Sequence, residues 1–257
     1  MTTGPVGREL LTDKIVVVTA AAGTGIGSAV ARRCLDEGAC VVLSDHHERR
    51  LASTCDELTA VFGDRAAAVR CDVTVEADVQ ALIDGAVARF GRIDVLVNNA
   101  GLGGTAAVQE MSDEQWSRVL DVTLTGTFRC TRAGSRQMIA QGGGGVVVNN
   151  ASVVGWRAQA GQAHYAAAKA GVMALTRCAA LDLAAFGIRV NAVAPSLAMH
   201  PFLAKVTSDE LLTELAAKEA YGRAAQPWEV ATVVAFLASN YASYLTGEVI
   251  SVSSQHP

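Results

Sequence analysis

The chain has 257 residues, of which 51% are hydrophobic and 18% charged, and its formal net charge is −4 at pH 7. A chain of this length can bury a large core, and its low charge suits a sheet covered on both faces or an oligomer. Its basic residues form no cluster larger than Arg32-Arg33 and Arg49-Arg50, so nucleic acid is excluded as an expected partner. No apolar run reaches the roughly 18 residues of a membrane span, and the N-terminal sequence lacks a secretory signal, so we expect a cytoplasmic protein without a membrane partner.

The six cysteines are scattered without a C-x-x-C pair, and the five histidines form no helical H-x-x-x-H pair. Scattered thiols in predicted helices and strands indicate small buried residues in a reducing compartment. We therefore predict no metal site.

The first half of the chain alternates between short apolar strands and amphipathic helices. Residues 14–20 predict a strand, and the loop AAGTGIG leads from it into a helix. Residues 39–44 predict a second strand that ends at Asp45, and after a polar helix a third strand ends at Asp72. A further helix precedes a fourth strand, which runs into Asn98-Asn99-Ala100-Gly101.

The second half continues this alternation. A long helix is predicted from about Ser112 to Gln137, and the apolar strand VVVNNAS follows a glycine-rich turn. The helix that carries Tyr165, the strand IRVNAVAP, two more helices and a last strand near EVISVS complete the chain. About seven such alternations with near-continuous apolar strands are typical of one parallel, doubly wound sheet. We predict a single α/β Rossmann domain of three layers over residues 1–257, with residues 1–10 mobile.

A glycine loop between the first strand and the first helix is typical of a dinucleotide site. Its glycines are Gly23, Gly25 and Gly27, and such a loop lets the backbone approach a pyrophosphate at the helix N-terminus. Asp45 lies 18 residues past Gly27, where a carboxylate can accept both adenosine ribose hydroxyls and repel a 2′-phosphate. We therefore predict NAD rather than NADP as the cofactor. The alternatives are glycines that only permit tight packing and a solvated turn carboxylate.

Tyr165 and Lys169 lie four residues apart in an alanine-rich run, so both side chains leave the same face of a predicted helix. Ser152 lies thirteen residues before the tyrosine, at the end of a predicted strand. A fixed ammonium group favours the phenolate, so we expect the pKa of Tyr165 to lie below its ordinary value of about 10. Such a tyrosine could act as acid and base in carbonyl and alcohol chemistry. The alternative is that both residues lie on the surface of a plain helix.

These parts together resemble the short-chain dehydrogenase/reductase family over nearly the whole chain. The matching features are the loop from Thr19 to Gly27, Asp72-Val73, Asn98-Asn99-Ala100-Gly101, Ser152 and Tyr165-x-x-x-Lys169. The resemblance implies a Rossmann domain that assembles into a homodimer or homotetramer. It places catalytic roles on Ser152, Tyr165, Lys169 and the fourth position, Thr123. It places cofactor contacts on Thr24, Gly25, Ile26, Asp45, Asp72, Val73, Asn99, Tyr165, Lys169 and Ala198.

Several positions depart from the common pattern of that family. The loop from Thr19 to Gly27 is one residue longer than usual and lacks the glycine after Thr19. Thr123 replaces an asparagine that in the family helps to hold a water beside the lysine, so we expect a rerouted proton relay. His200 lies where a threonine commonly contacts the nicotinamide end, and the usual Asp-Gly-Gly near the C-terminus is Ser253-Ser254-Gln255.

The chain is also similar to an actinobacterial subgroup that is associated with the breakdown of sterol ring fragments, in the sequences AAAGTGIG, NNASVVGWRAQ, APSLAMH and SVSSQ. That resemblance implies oxidoreduction of a hydroxy- or oxo-indane acyl-CoA thioester. Trp156 is a candidate wall for the ring, Arg157 a candidate contact for a carrier phosphate, and residues 197–220 a candidate substrate segment. The alternative for these two side chains is a Trp156 packed under a loop and a solvated Arg157. Two other functions stay open: a 3-oxoacyl-ACP or 3-oxoacyl-CoA reductase of the fatty-acid type, and a non-catalytic nucleotide-sensing protein.

Overall fold

The computed structural model describes residues 4–199 and 209–254 of the chain, so the predicted positions His200 and Gln255 lie outside the described residues. The strands are β1 (Ile15–Val18), β2 (Cys40–Asp45), β3 (Ala66–Arg70), β4 (Val95–Asn98), β5 (Gly145–Asn150), β6 (Ile188–Pro195) and β7 (Val249–Val252). The α-helices are α1 (Ile26–Asp36), α2 (Glu48–Phe62), α3 (Glu76–Phe90), α4 (Asp113–Leu120), α5 (Gly126–Gln141), α6 (Ala163–Leu183), α7 (Asp209–Ala217) and α8 (Pro227–Ala238).

All seven strands form one parallel sheet in the order β3-β2-β1-β4-β5-β6-β7. The strand order reverses at β1, which pairs with β2 on one side and with β4 on the other. In open α/β sheets, ligands bind in the crevice at the carboxyl ends of the strands beside such a reversal. The predicted doubly wound, three-layer Rossmann fold is confirmed.

Alternate residues of each strand are buried against helices on opposite faces of the sheet. Val16 and Val18 pack in one cluster with residues of α1 and α8, whereas Val17 packs in a second cluster with residues of α3 and α5. Burying one such side chain contributes about 1.5–3 kcal/mol, so both faces need apolar residues. This explains why the strands are near-continuous apolar runs. Among the described residues, no helix is both long and apolar enough to cross a bilayer.

The long helix predicted from Ser112 to Gln137 is interrupted by a π-helical turn. Ser112 and Gln115 form a capping box at the start of α4, because each side chain accepts a hydrogen bond from the other residue's backbone N–H. The π turn spans Asp121–Thr125, and α5 continues from it to Gln141. Single π turns of this kind are frequent at functional sites, and this one carries Thr123.

The N-terminal segment contacts the end of α1. The backbone N–H groups of Arg8 and Leu10 donate to Glu37 Oε2 at 2.7 and 3.1 Å, and Glu37 is fully buried beside Arg33. The expectation that residues 1–10 are mobile stays a prediction, and these contacts argue against it at residues 8 and 10.

Candidate active site

The glycine loop joins β1 to α1 at the strand-order reversal. Gly25 is the N-cap of α1, and a Cβ on Gly25 would meet no atom within 4 Å, so space is open at the helix N-terminus. Free N–H groups and the helix dipole make such a terminus attractive to a phosphate. A Cβ on Gly27 would lie 2.1 Å from Ala20 O, so the loop can close on α1 only with glycine there. The loop with its predicted contacts Thr24, Gly25 and Ile26 fits the pyrophosphate of a dinucleotide.

The lengthened loop holds Ala20 in the left-handed region of the backbone, with φ +50° at the position where the family commonly has glycine. That conformation costs a residue with a Cβ about 1–2 kcal/mol. Asn99 supports it, because Asn99 Nδ2 donates to Thr19 O at 3.2 Å and to Ala20 O at 3.1 Å. Gly23 N donates to Thr54 Oγ1 of α2 at 2.9 Å. The loop is therefore held from β4 on one side and from α2 on the other.

Asp45 ends β2 beside the glycine loop and is 6% exposed. Its Oδ1 accepts a hydrogen bond from His47 N at 2.9 Å, and the carboxylate is also hydrogen-bonded by Ala22 N of the glycine loop. Burial raises the pKa of Asp45, and the nearby His46 and the Ala22 hydrogen bond oppose that rise. The structure therefore places a buried carboxylate next to the glycine loop, as the sequence predicts.

Asp72 and Val73 follow β3, which pairs with β2, so they lie at the same edge of the sheet as Asp45. Asp72 Oδ1 accepts hydrogen bonds from Thr74 N at 2.9 Å and Thr74 Oγ1 at 2.7 Å. Burial opposes ionisation, but these hydrogen bonds hold the pKa of Asp72 below its ordinary value. Val73 is buried against Gly126 at the start of α5. Both residues are placed where they could border an adenosine held by Asp45.

Ser152, Tyr165 and Lys169 come together at the carboxyl end of β5. Ser152 is 8% exposed, its hydroxyl donates to Pro195 O at 3.4 Å, and it lies close enough to Tyr165 to lower the pKa of the phenol. Lys169 is 3% exposed, its Nζ lies 5.6 Å from the centre of the Tyr165 ring, and it donates to Asn150 O at 2.5 Å. The three predicted side chains therefore form one cluster, and their catalytic roles remain predictions.

The pKa values in this cluster differ from the sequence-based expectation. Burial raises the pKa of Tyr165, and only the hydrogen bond with Ser152 lowers it. Burial also lowers the pKa of Lys169 from 10.5 to about 8. The expected lowering of the Tyr165 pKa by Lys169 is wrong for the chain alone, because loss of water around the phenolate outweighs the lowering by Ser152. Tyr165 is therefore a protonated acid at neutral pH.

Thr123 lies in the π turn with no exposed surface. Its Oγ1 accepts from Leu102 N at 3.0 Å and donates to Leu102 O at 3.1 Å. A Cβ on Gly101 would lie 3.4 Å from Lys169 Nζ and 3.8 Å from Thr123 Oγ1, so both side chains flank the turn that follows β4. Because the single hydroxyl proton goes to Leu102 O, Thr123 positions this turn rather than donating to a substrate. The rerouted proton relay stays a prediction.

We expect Thr123→Val to lower the free energy of unfolding by about 2 kcal/mol, because two backbone groups of Leu102 lose their partner. Urea unfolding measures this change. Thr232→Val is the matched control, since within the described part of the chain the Thr232 hydroxyl bonds only to Trp228 O of its own helix. Equal stabilities of the two variants would contradict the role given to Thr123.

Ala198 follows β6, is 7% exposed, and pairs with Ala225 in a short parallel bridge. This bridge fixes the start of the predicted substrate segment. Near the other end of that segment, the buried Glu219 accepts hydrogen bonds from Ser254 N at 3.3 Å and from Ser254 Oγ at 2.7 Å. Residues 200–208 between these anchors lie outside the described part of the chain.

Trp156 follows a short 3₁₀ turn after Ser152 and is 42% exposed. That exposure contradicts the alternative in which Trp156 packs under a loop, and it leaves the indole ring available to a ligand. Arg157 is half-buried, and the alternative of a solvated side chain stays open.

Sequence reasoning missed two residues that shape this site. Asn150 lies between Lys169 and the glycine loop, and Gln162 Nε2 donates to Gly104 O at 2.8 Å, which holds the loop after β4 against the start of α6. A signal for Asn150 was present, because the doublets 98–99 and 149–150 end neighbouring strands in register. No pattern in the sequence pointed to Gln162. Groups of three or more metal-binding side chains are absent from the described residues.

Comparison with known proteins gives similarities over nearly the whole chain. Residues 20–254 match the family model described as Enoyl-(Acyl carrier protein) reductase. The chain is 66% identical to the (5R,7aS)-5-hydroxy-7a-methyl-1-oxo-2,3,5,6,7,7a-hexahydro-1H-indene-carboxyl-CoA reductase of Mycobacterium tuberculosis, over 98% of this chain and 96% of that protein. It is 44% identical to the cis-4-hydroxycyclohexanecarboxylate dehydrogenase of Sinomonas cyclohexanicum, over 95% of this chain and 96% of that protein. The crystal structure of a short chain dehydrogenase from Mycobacterium smegmatis superposes with a TM-score of 0.89 at 56% identity, covering 100% of this chain and 98% of that one.

Proposed function

Because this chain belongs to the short-chain dehydrogenase/reductase family, we propose that it interconverts a ring ketone and its secondary alcohol with Ser152, Tyr165 and Lys169 as the reacting set. The chain is an alcohol dehydrogenase or ketoreductase of a family that uses nicotinamide cofactors. The observation that carries the proposal is the cluster of Ser152, Tyr165 and the buried Lys169 at the sheet edge that also holds the glycine loop.

Each of the three side chains has a separate role in the proposed reaction. A bound nicotinamide cofactor supplies or accepts the hydride. During reduction, Ser152 donates a hydrogen bond to the substrate carbonyl oxygen, and Tyr165 gives that oxygen its proton as negative charge develops there. Lys169 would hold the nicotinamide ribose with its ammonium group. Oxidation follows the reverse path.

The cofactor in this proposal is NAD rather than NADP. Asp45 supports it, because a buried carboxylate at the end of β2 accepts ribose hydroxyls and repels a 2′-phosphate. Residues 19–27 contain no lysine or arginine that could bind such a phosphate. The guanidinium of Arg50 lies 3.9 Å from Asp45 Oδ1.

The substrate in this proposal is a hydroxy- or oxo-indane carried as a coenzyme A thioester. The names of both relatives support a ring, since one describes an indene-carboxyl-CoA and the other a hydroxycyclohexanecarboxylate. The exposed Trp156, which follows the 3₁₀ turn after Ser152, offers an apolar surface for such a ring. Arg157 remains a predicted contact for a phosphate of the carrier. These features favour a ring over the straight 3-oxoacyl chain of the fatty-acid alternative.

A coupled assay with the purified chain tests both the choice of cofactor and the choice of substrate. It compares NADH with NADPH on three substrates: a ring ketone as its CoA thioester, the same ketone as the free acid, and a straight-chain 3-oxoacyl-CoA. We expect the highest kcat/KM for the ring thioester with NADH. Equal rates on the free acid and on its CoA thioester would contradict the thioester part of the proposal. A preference for the straight-chain 3-oxoacyl-CoA would favour the fatty-acid alternative. Binding of NADH without turnover of any ketone or alcohol would favour a nucleotide sensor.

We also propose a homo-oligomer, with a homotetramer as the expected form. Four large apolar side chains on or next to α4, α5 and α6 are at least 39% exposed in the single chain: Trp116, Phe128, Leu181 and Phe186. These side chains are candidates for the surface that other copies of the chain would cover in an oligomer. Light scattering of the purified chain counts the copies, and a monomer at micromolar concentration would refute this part.

A further inference from the structure

Asn150, the last residue of β5, contacts both parts of the candidate site. Its backbone oxygen accepts the hydrogen bond from Lys169 Nζ at 2.5 Å. Its side-chain Nδ2 donates to Asn99 Oδ1 at 2.9 Å. Asn99 in turn donates from Nδ2 to the carbonyl oxygens of Thr19 and Ala20 in the glycine loop. One residue therefore connects the buried lysine to the backbone that faces the expected cofactor.

This connection ends at the strained residue of the loop. Ala20 has φ +50°, a conformation that a residue with a Cβ adopts only when its surroundings hold it. The contact that Asn99 makes with Ala20 O supports that conformation, and it requires the amide of Asn99 to keep its orientation. The hydrogen bond from Asn150 to Asn99 Oδ1 sets that orientation, because the other amide atom of Asn99 then has to face Thr19 and Ala20.

Stability alone does not explain an asparagine at position 150. Among the described residues, its buried Oδ1 has no hydrogen-bond partner, and an unpaired buried oxygen lowers the free energy of unfolding. An apolar β-branched residue would suit the end of this central strand better. We propose that Asn150 is a positioning residue that holds the glycine loop in its cofactor-binding conformation through Asn99. This inference rests on the proposed function, since the conformation in question is the one that binds the nicotinamide cofactor.

The test is a double-mutant cycle between Asn150→Val and Ala20→Gly, with NADH affinity as the readout. Asn150→Val keeps the backbone oxygen that binds Lys169 and removes only the contact with Asn99. We expect the Kd for NADH to rise about tenfold, the equivalent of one lost hydrogen bond, while the free energy of unfolding of the free protein changes little. Glycine adopts positive φ without strain, so in the Ala20→Gly background the same Asn150→Val change should raise the Kd by about threefold or less.

Thr176→Val is the matched control, because the Thr176 hydroxyl accepts a hydrogen bond from Asn149, the neighbouring residue of β5. It should lower stability, leave NADH affinity unchanged and show no coupling with Ala20→Gly. If Asn150→Val does not fold, Asn150→Ser replaces it in the cycle, since the short hydroxyl cannot reach Asn99. Unchanged NADH affinity in the Asn150 variant, or additive effects in the cycle, would overturn this inference alone. A wild-type chain that binds neither NADH nor NADPH would overturn the proposed function and this inference with it.

Discussion

We expect Tyr165→Phe to lower kcat for ketone reduction by about 10²- to 10⁴-fold, the range that a positioned proton donor contributes. The substitution removes only the phenol oxygen, which carries the proton and is hydrogen-bonded to Ser152. NADH binding should be retained, because the glycine loop and Asp45 are untouched. Single-turnover reduction with saturating NADH, together with a fluorescence titration of NADH, separates the chemical step from cofactor binding.

Tyr244→Phe is the matched control, since it makes the same chemical change on a side chain that is 100% exposed. It should leave both turnover and cofactor affinity at the wild-type values. Turnover by Tyr165→Phe within about tenfold of wild type would show that another group donates the proton. Loss of NADH binding in Tyr165→Phe would instead assign this tyrosine to the cofactor site.

We expect Lys169→Met to stabilise the fold while it abolishes most activity. An amine that is 3% exposed and whose pKa falls from 10.5 to about 8 costs about 3 kcal/mol in the folded state at neutral pH. Methionine has a similar length and no charge, and the lost hydrogen bond to Asn150 O offsets about 1 kcal/mol. The variant should therefore gain about 2 kcal/mol in the free energy of unfolding at pH 7.

The stability difference between Lys169→Met and wild type should depend on pH. Folding lowers the lysine pKa, so the cost of the charged amine is fully present below pH 8 and disappears as the pH rises from about 8 to 10.5. The stability difference between Lys169→Met and wild type should shrink over that interval in urea titrations. Lys14→Met, before the start of β1, is the control for the loss of one ammonium group outside the cluster. A Lys169→Met variant that is less stable than wild type at pH 7 would contradict the buried-charge explanation.

The activity of Lys169→Met should fall by at least about 10²-fold, because the ammonium group that would hold the nicotinamide ribose is lost. A gain in stability with a loss in activity is the pattern expected where a functional site keeps a group that folding disfavours. Wild-type turnover by this variant would remove Lys169 from the reacting set.

The alternation of strands and helices was predictable because both faces of a parallel sheet are buried and every strand must then be apolar. The π turn at Asp121–Thr125 was not predictable, and the sequence suggested one continuous helix there. That turn contains Thr123, whose hydroxyl fits the backbone of Leu102. A contact across 21 residues of chain leaves no trace in the local periodicity.

The pKa of Tyr165 is a second property that the local sequence did not predict correctly. The four-residue spacing placed an ammonium group near the phenol, and both side chains do lie in one cluster. Whether the charge or the loss of water prevails depends on how deeply both groups are buried, and several distant elements decide that. The spacing therefore predicted the neighbour of Tyr165 and the wrong direction for its pKa.

The sequence by itself determined the fold class and the glycine loop, since both follow from short-range spacing and from the order of strands, and its resemblance to the family implied the grouping of Ser152, Tyr165 and Lys169. Only the tertiary structure decided how the lengthened loop is held and which residue connects it to Lys169. Asn99 and Asn150 end neighbouring strands, and their contact exists because β4 and β5 pair with Asn98 opposite Asn149. Strand register is set by packing over the whole sheet, so side-chain contacts between strands cannot be deduced from either segment alone.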